Sequence, residues 1–156
     1  MWKMGIPLLV FQLGRLDKGI WSNGMLDIGR SFSVVSVAEE QVVQDIARVS
    51  GDVNPIHLDE NYAKNSIFGK RIVHALFCHN VISMVLGNHL PGEGTILLSQ
   101  SFQYKKPVYI GDVIETTVTV KQVLPKEKYV LDTICRNQKN EIILIGESKV
   151  KWKENP

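Results

Sequence analysis

The densest run of residues able to handle protons is Ser50-Gly51-Asp52-Val53-Asn54-Pro55-Ile56-His57. Asp52 and His57 stand five apart, across a segment stiffened by Pro55. Proline fixes its own φ and restricts the residue before it, here Asn54. A carboxylate and an imidazole held at a set separation can share general acid–base work, since imidazoles exchange protons near neutrality. The bland alternative is structural: turns favour Asp and Asn for their own hydrogen bonding. On that reading Asp52 caps the turn and His57 caps the helix after it.

His74 and His79 are the other candidate imidazoles. They are five apart in a run that reads as helix, so they do not share a face as i, i+4 ligands would. No metal site is expected from them, and His74 reads as a structural or surface histidine. Ser83 falls mid-helix in an apolar run, where a hydroxyl usually back-bonds to the preceding turn.

The elements that must position these groups follow from periodicity. Met25–Val37 reads as an entry turn at Gly29 followed by a strand. Ser36 and Glu39 form a capping-box pattern, predicting a helix to about Val49 with Val42, Val43, Ile46 and Val49 on its apolar face. Ser50-Gly51 ends it, and Gly51–Leu58 reads as a loop. A short helix is expected over Asp59–Asn65. Val73–Leu86 is apolar nearly all round, which requires a helix buried on most sides. After it the period changes to two: Ile114, Thr116, Val118 and Val120 alternate with Glu115, Thr117, Thr119 and Lys121. That is a half-buried antiparallel strand. Thr95–Tyr104, Lys128–Arg136 and Glu141–Trp152 complete a run of strands with no helix between them. An α+β layout results, with an antiparallel sheet curled around one long helix.

The chain has 156 residues and a net charge of +2. One domain with one core is expected, and so small a charge gives no case for nucleic acid. The basic pairs Lys70–Arg71 and Lys105–Lys106 read as solvated surface or as a docking face for an acidic carrier. Cys78 and Cys135 lack a C-x-x-C partner, which predicts inert buried thiols in a reducing compartment. Residues 1–24 carry Lys3, Arg15 and Lys18 against one acid, Asp17, and read as a targeting or disordered segment, with residues 25–156 as the single domain. A basic, acid-poor start fits a mitochondrial presequence, with a cytoplasmic location as the alternative. Its apolar run Ile6–Leu13 is too short to span a bilayer.

Ser50 to Asp59, then Ala63, Phe68-Gly69 and Ile72-Val73-His74, resemble the hydratase motif of the MaoC-like family. Leu90-Pro91-Gly92-Glu93-Gly94, Ser101-Phe102 and Pro107-Val108-Tyr109-Ile110-Gly111-Asp112 are similar to the same family in the same order. The likeness runs from about Met25 to Trp152 and is greatest to the R-specific enoyl-CoA hydratases and the type 2 mitochondrial hydroxyacyl-thioester dehydratases. It implies a hot-dog fold, a homodimer, and a cofactor-free, metal-free (3R)-3-hydroxyacyl-thioester dehydratase or trans-2-enoyl-thioester hydratase, within mitochondrial fatty acid synthesis. The substrate would be an acyl thioester of acyl carrier protein or coenzyme A. Asp52 and His57 match the family's catalytic pair, Asn54 lies in the same motif as a supporting residue, and Ser83 matches a serine that hydrogen-bonds the region of the catalytic aspartate. Ala75 stands where the family places a glycine whose backbone N–H meets the thioester carbonyl, and Arg71 where proline is usual. The competing readings are a hot-dog acyl-thioesterase and a non-catalytic acyl-binding scaffold.

Overall fold

The computed structural model describes residues 10–11 and 26–153. Apart from Val10–Phe11, the expected targeting segment lies outside the described residues. The elements run β1 (Val10–Phe11), β2 (Ser31–Val37), α1 (Glu40–Ser50), α2 (Pro55–Leu58), α3 (Glu60–Lys64), α4 (Leu76–Asn88), β3 (Ile96–Tyr104), β4 (Val113–Leu124), β5 (Lys128–Arg136) and β6 (Ile142–Lys151). The strands form one antiparallel sheet in the order β1-β2-β4-β5-β6-β3. Its inner face and α4 bury a common core that includes Phe32, Val34, Ile82, Val85, Val118, Leu131 and Leu144. Each large apolar side chain so buried contributes about 1.5–3 kcal/mol. This is the sheet around one helix that the order of elements predicts, and the hot-dog arrangement that the family resemblance implies. No helix among the described residues is long and apolar enough to cross a membrane.

The period-two reading of β4 holds: Ile114, Thr116, Val118 and Val120 are all buried. The strand continues past Lys121 to Leu124 because a register shift between Val120 and Gln122 absorbs the irregular residue.

Four local expectations fail for physical reasons. The capping box does not form. Ser36 is paired to Ile114 inside β2, and the helix begins only at Glu40, with no side-chain cap. Val49 is 77% exposed and not on the packed face of α1, which presents Val43, Ile46 and Ala47. The Gly51–Leu58 loop contains a helical turn, α2, because Pro55 supplies a preset φ at its start and Asn54 caps it. The long helix starts at Leu76, not Val73. Residues 72–74 are held extended instead, by an Ile72–Tyr109 bridge and a bond from Val73 N–H to the Val108 carbonyl. His74 and His79 are therefore not on one helix. On α4 itself Leu76, Asn80 and Ser83 form an exposed stripe.

Candidate active site

Gly51 ends α1 with φ at 75°, in the left-handed region that glycine enters freely. A succession of short-range bonds then shapes the loop. Asp52 N–H donates to Ser50 Oγ at 3.1 Å, Asn54 N–H to Asp52 Oδ1 at 3.2 Å, and Ile56 N–H to Asn54 Oδ1 at 3.2 Å. Asn54 is thus an exposed cap that sets the start of α2, outside the pocket described below. His57 is 8% exposed, so it belongs to the protein interior and not to a polar surface loop.

The extended stretch Ile72–His74 grips this loop from the other side. His57 Nδ1 lies 2.8 Å from the Ile72 carbonyl. A carbonyl only accepts, so Nδ1 carries the proton and the lone pair of the neutral ring sits on Nε2. That Nε2 faces Asp52 Oδ2 at 3.9 Å, too far for a direct hydrogen bond. Asp52 is about half exposed. The sequence brings the two groups together, as its spacing suggested.

Both line a pocket of about 410 Å³. Phe68, Val73, Val108 and Ile143 give it apolar walls, and Lys105 and Lys106 bring basic side chains to its lining. Among the described residues, Lys106 pairs with Glu141 and Lys105 hydrogen-bonds Gln103. Tyr104 and Cys78 also line it. Tyr104 Oη hydrogen-bonds with His79 Nε2, part of an imidazole that burial shifts toward its neutral form. The Cys78 thiol is pushed far up by its hydrogen bond to Cys135 and then by burial, so it stays protonated and is no nucleophile.

Ala75 lines the same pocket at the N-terminus of α4, with φ −55° and ψ −31°. That is ordinary right-handed backbone, which alanine adopts as readily as glycine. Its N–H belongs to the helix's first turn, whose amides lack intrahelical acceptors and face anions with a favourable dipole. Ser83 does not join the pocket. It sits eight residues along α4, roughly 12 Å by helical rise, on the exposed stripe, and its hydroxyl makes no hydrogen bond to Asp52.

Asp52, His57 and His74 each place a ligand-type atom within 4.8 Å of the others, which is enough in number for a metal ion. The two imidazoles, however, stack with centroids 3.9 Å apart and planes 30° apart.

Arg71 occupies the family's proline position and has a task of its own. Its guanidinium meets Glu40 at 2.6 Å and Glu60 at 3.1 Å, and donates to the His57 carbonyl at 3.4 Å. It thereby ties α1, α2 and α3 together behind the site. Arg71, and after it Gln44, hold Glu40 below the usual carboxylate range. A depressed carboxylate stabilises the fold above its unfolded-state pKa, and the contribution is lost as pH falls through the folded value. Urea titrations should therefore show stability falling as pH drops below about 4.3, the ordinary glutamate pKa. In Arg71→Ala that part of the decline should shrink. An unchanged pH profile in the variant would contradict the assignment.

The sequence profile of the MaoC like domain family matches residues 27–142. The chain belongs to the MaoC-like family. It is 36% identical over 126 residues to "3-hydroxybutyryl-CoA dehydratase" of Methylorubrum extorquens, covering 81% of this chain and 80% of that one. It is 31% identical to "3-hydroxyacyl-[acyl-carrier-protein] dehydratase, mitochondrial" of Arabidopsis thaliana, over 86% of this chain and 82% of the relative. The solved R-hydratase PhaJ1 of Pseudomonas aeruginosa superposes with a TM-score of 0.79 at 35% identity, covering 83% of this chain and 84% of that chain. The family match runs through the Asp52–His57 loop, the extended Ile72–His74 stretch and α4. Every wall of the pocket except the β6 residue Ile143 falls inside it.

Sequence reasoning missed the place of His74. Assigning it to the long helix hid it, whereas the pair Ile72-Val73 before it, two β-branched residues, is the signal for an extended stretch.

Proposed function

We propose that this MaoC-like protein adds water across the 2,3-bond of trans-2-enoyl thioesters and removes it from (3R)-3-hydroxyacyl thioesters. The observation that carries the proposal is the 3.9 Å separation between Asp52 Oδ2 and the lone-pair nitrogen of His57, inside a pocket also lined by Ala75 at the N-terminus of α4. Two acceptors at that spacing suit one water that donates to both, leaving its own lone pairs free for C3. In hydration the water oxygen bonds to C3 while the pair takes one of its protons. The π electrons of the 2,3-bond move onto the thioester carbonyl as enolate charge. The Ala75 N–H and the helix dipole favour that charge. The proton held by the pair is returned to C2, and the sum is one water added with no cofactor consumed. Dehydration runs the same steps backwards.

The acyl group would arrive on coenzyme A or on acyl carrier protein, the two carriers in the relatives' names. The decisive assay is incubation with trans-2-butenoyl-CoA, following loss of the conjugated thioester absorbance together with release of free thiol. Absorbance loss without thiol supports the hydratase. Thiol release would support the thioesterase reading instead, and no change in either would support a non-catalytic acyl-binding scaffold. The product should be the (3R)-hydroxy isomer. The mitochondrial plant relative and the basic, acid-poor start of the chain support a mitochondrial setting in fatty acid synthesis. A fluorescent fusion to residues 1–24 that stays cytosolic would argue against it.

We further propose a homodimer built on β3. Among the described residues this strand ends the sheet with one edge unpaired, and Ile96, Leu97 and Leu98 are 57%, 48% and 45% exposed. An apolar free edge is an association site unless something covers it. A second copy laid antiparallel along β3 would cover it together with the exposed stripe of α4. Any supporting role of Ser83 then belongs to the assembled dimer. Sedimentation at micromolar concentration should give a dimer, and Ile96→Lys with Leu98→Lys should give a folded monomer of much lower activity. A fully active monomer in the unaltered protein would overturn this.

A further inference from the structure

We infer that His74 is a positioning residue that holds the Asp52 carboxylate in register with His57; this rests on the acid–base reading of that pair. His74 is 2% exposed, and its ring stacks on that of His57. Its Nε2 lies 3.0 Å from the Asp52 backbone carbonyl. As with His57, the carbonyl can only accept, so Nε2 carries the proton and the lone pair of the neutral ring sits on Nδ1.

The same short stretch thus holds both members of the pair. The Ile72 carbonyl fixes the tautomer and tilt of His57, and the His74 ring fixes the backbone from which the Asp52 side chain projects. Asp52 needs such a tether more than His57 does. Its side chain is about half exposed, and its other hydrogen bonds, to Ser50 Oγ and from Asn54 N–H, are all within two residues. The tether to His74 is its hydrogen bond to a residue distant in sequence, 22 positions away.

His74 also pays no obvious stability dividend for its polarity. Its Nδ1 is buried without a hydrogen-bond partner among the described residues. An unsatisfied buried acceptor is costly, and an apolar side chain of similar volume would avoid it. A residue chosen only to fill the core would not be histidine here.

The test uses the full-length protein and trans-2-butenoyl-CoA. His74→Phe keeps the ring and the volume but removes the donor. His74→Gln carries an amide N–H that can reach the place of Nε2. His74→Phe should lower kcat by about 10–100-fold, the scale of a misplacement near 1 Å, with KM changed little. His74→Gln should recover most of the loss. In the background of Asp52→Asn, His74→Phe should cost nothing further, because the effect passes through Asp52. Wild-type kcat in a folded His74→Phe, equal losses in the two variants, or a loss confined to KM would each overturn the inference. If His74→Phe does not fold, His74→Asn replaces it. Its amide stops one bond short of the carbonyl, so it should fall well below His74→Gln, and equal rates would overturn the inference. Asp52→Asn assayed alone separates the two levels: wild-type turnover there removes the acid–base pair itself, whatever His74 does.

Discussion

Asp52→Asn and His57→Gln should each lower kcat by about 10²–10⁴, the range for removing a general acid–base group. Both substitutions keep approximate size and some hydrogen bonding while removing proton exchange. The double variant should be little slower than the worse single one, because groups that act as a unit are strongly non-additive. The two should differ in stability. Asp52 is about half exposed, and asparagine can still accept from Asn54 N–H, so its unfolding midpoint should barely move. His57 is buried, stacks on His74 and donates to the Ile72 carbonyl. Losing that bond in the interior should cost about 1–3 kcal/mol. Parallel urea unfolding and turnover measurements check both halves. Wild-type turnover in Asp52→Asn would refute the acid–base assignment, and activity losses that merely track stability would return the loop to a structural role.

Much of this arrangement is written in local pattern. The alternation of Ile114, Thr116, Val118 and Val120 gave β4 its buried face because one side of an antiparallel strand must pack on the core. Lys128–Arg136 is bounded in the structure as its composition indicates. The pairing of Asp52 with His57 was legible because Gly51, Asn54 and Pro55 act over a few residues, and so do the bonds they make.

What escaped local reading depends on contacts distant in sequence. Ser36 and Glu39 satisfy a capping pattern, yet β4 pairs with Ser36 and keeps it extended. Val73 and His74 continue an apolar run, yet the Val108 carbonyl and the Ile72–Tyr109 bridge hold this stretch off the helix. That displacement of the helix start to Leu76 is what places His74 against Asp52 and the Ala75 N–H at the pocket. The nearly all-round apolar character of Val73–Leu86 points to burial within one chain. The exposed stripe through Leu76 and Ser83 instead matches the second copy proposed above.

Gly146→Ala should be among the most damaging single changes to stability, at a position that no motif marks. Gly146 lies in β6 opposite Phe102 of β3. A Cβ built there would stand 2.2 Å from Phe102 Cδ1 and 2.5 Å from the Ser101 carbonyl oxygen, with Phe102 Cε1 at 2.9 Å. A side-chain ring can rotate, but the Ser101 oxygen is backbone within the β3–β6 ladder and moves only if the strand moves. Phe102 has little room in any case, since its ring packs 4.7 Å from that of His79 on α4. Overpacking of this kind costs typically about 1–3 kcal/mol and occasionally more. A backbone obstruction places this case at the upper end. Activity should fall beyond the loss of folded protein, because β3 carries Tyr104 and leads into Lys105–Val108 of the pocket wall, and its free edge is the proposed dimer seam. Adding Phe102→Leu should relieve the contact with the ring but not the one with the Ser101 carbonyl, so rescue should be partial. Urea unfolding, sedimentation and turnover of the single and double variants test the argument. Full rescue by Phe102→Leu would show that the ring alone was the obstacle. A Gly146→Ala protein with wild-type stability would show that β3 yields where this account holds it fixed.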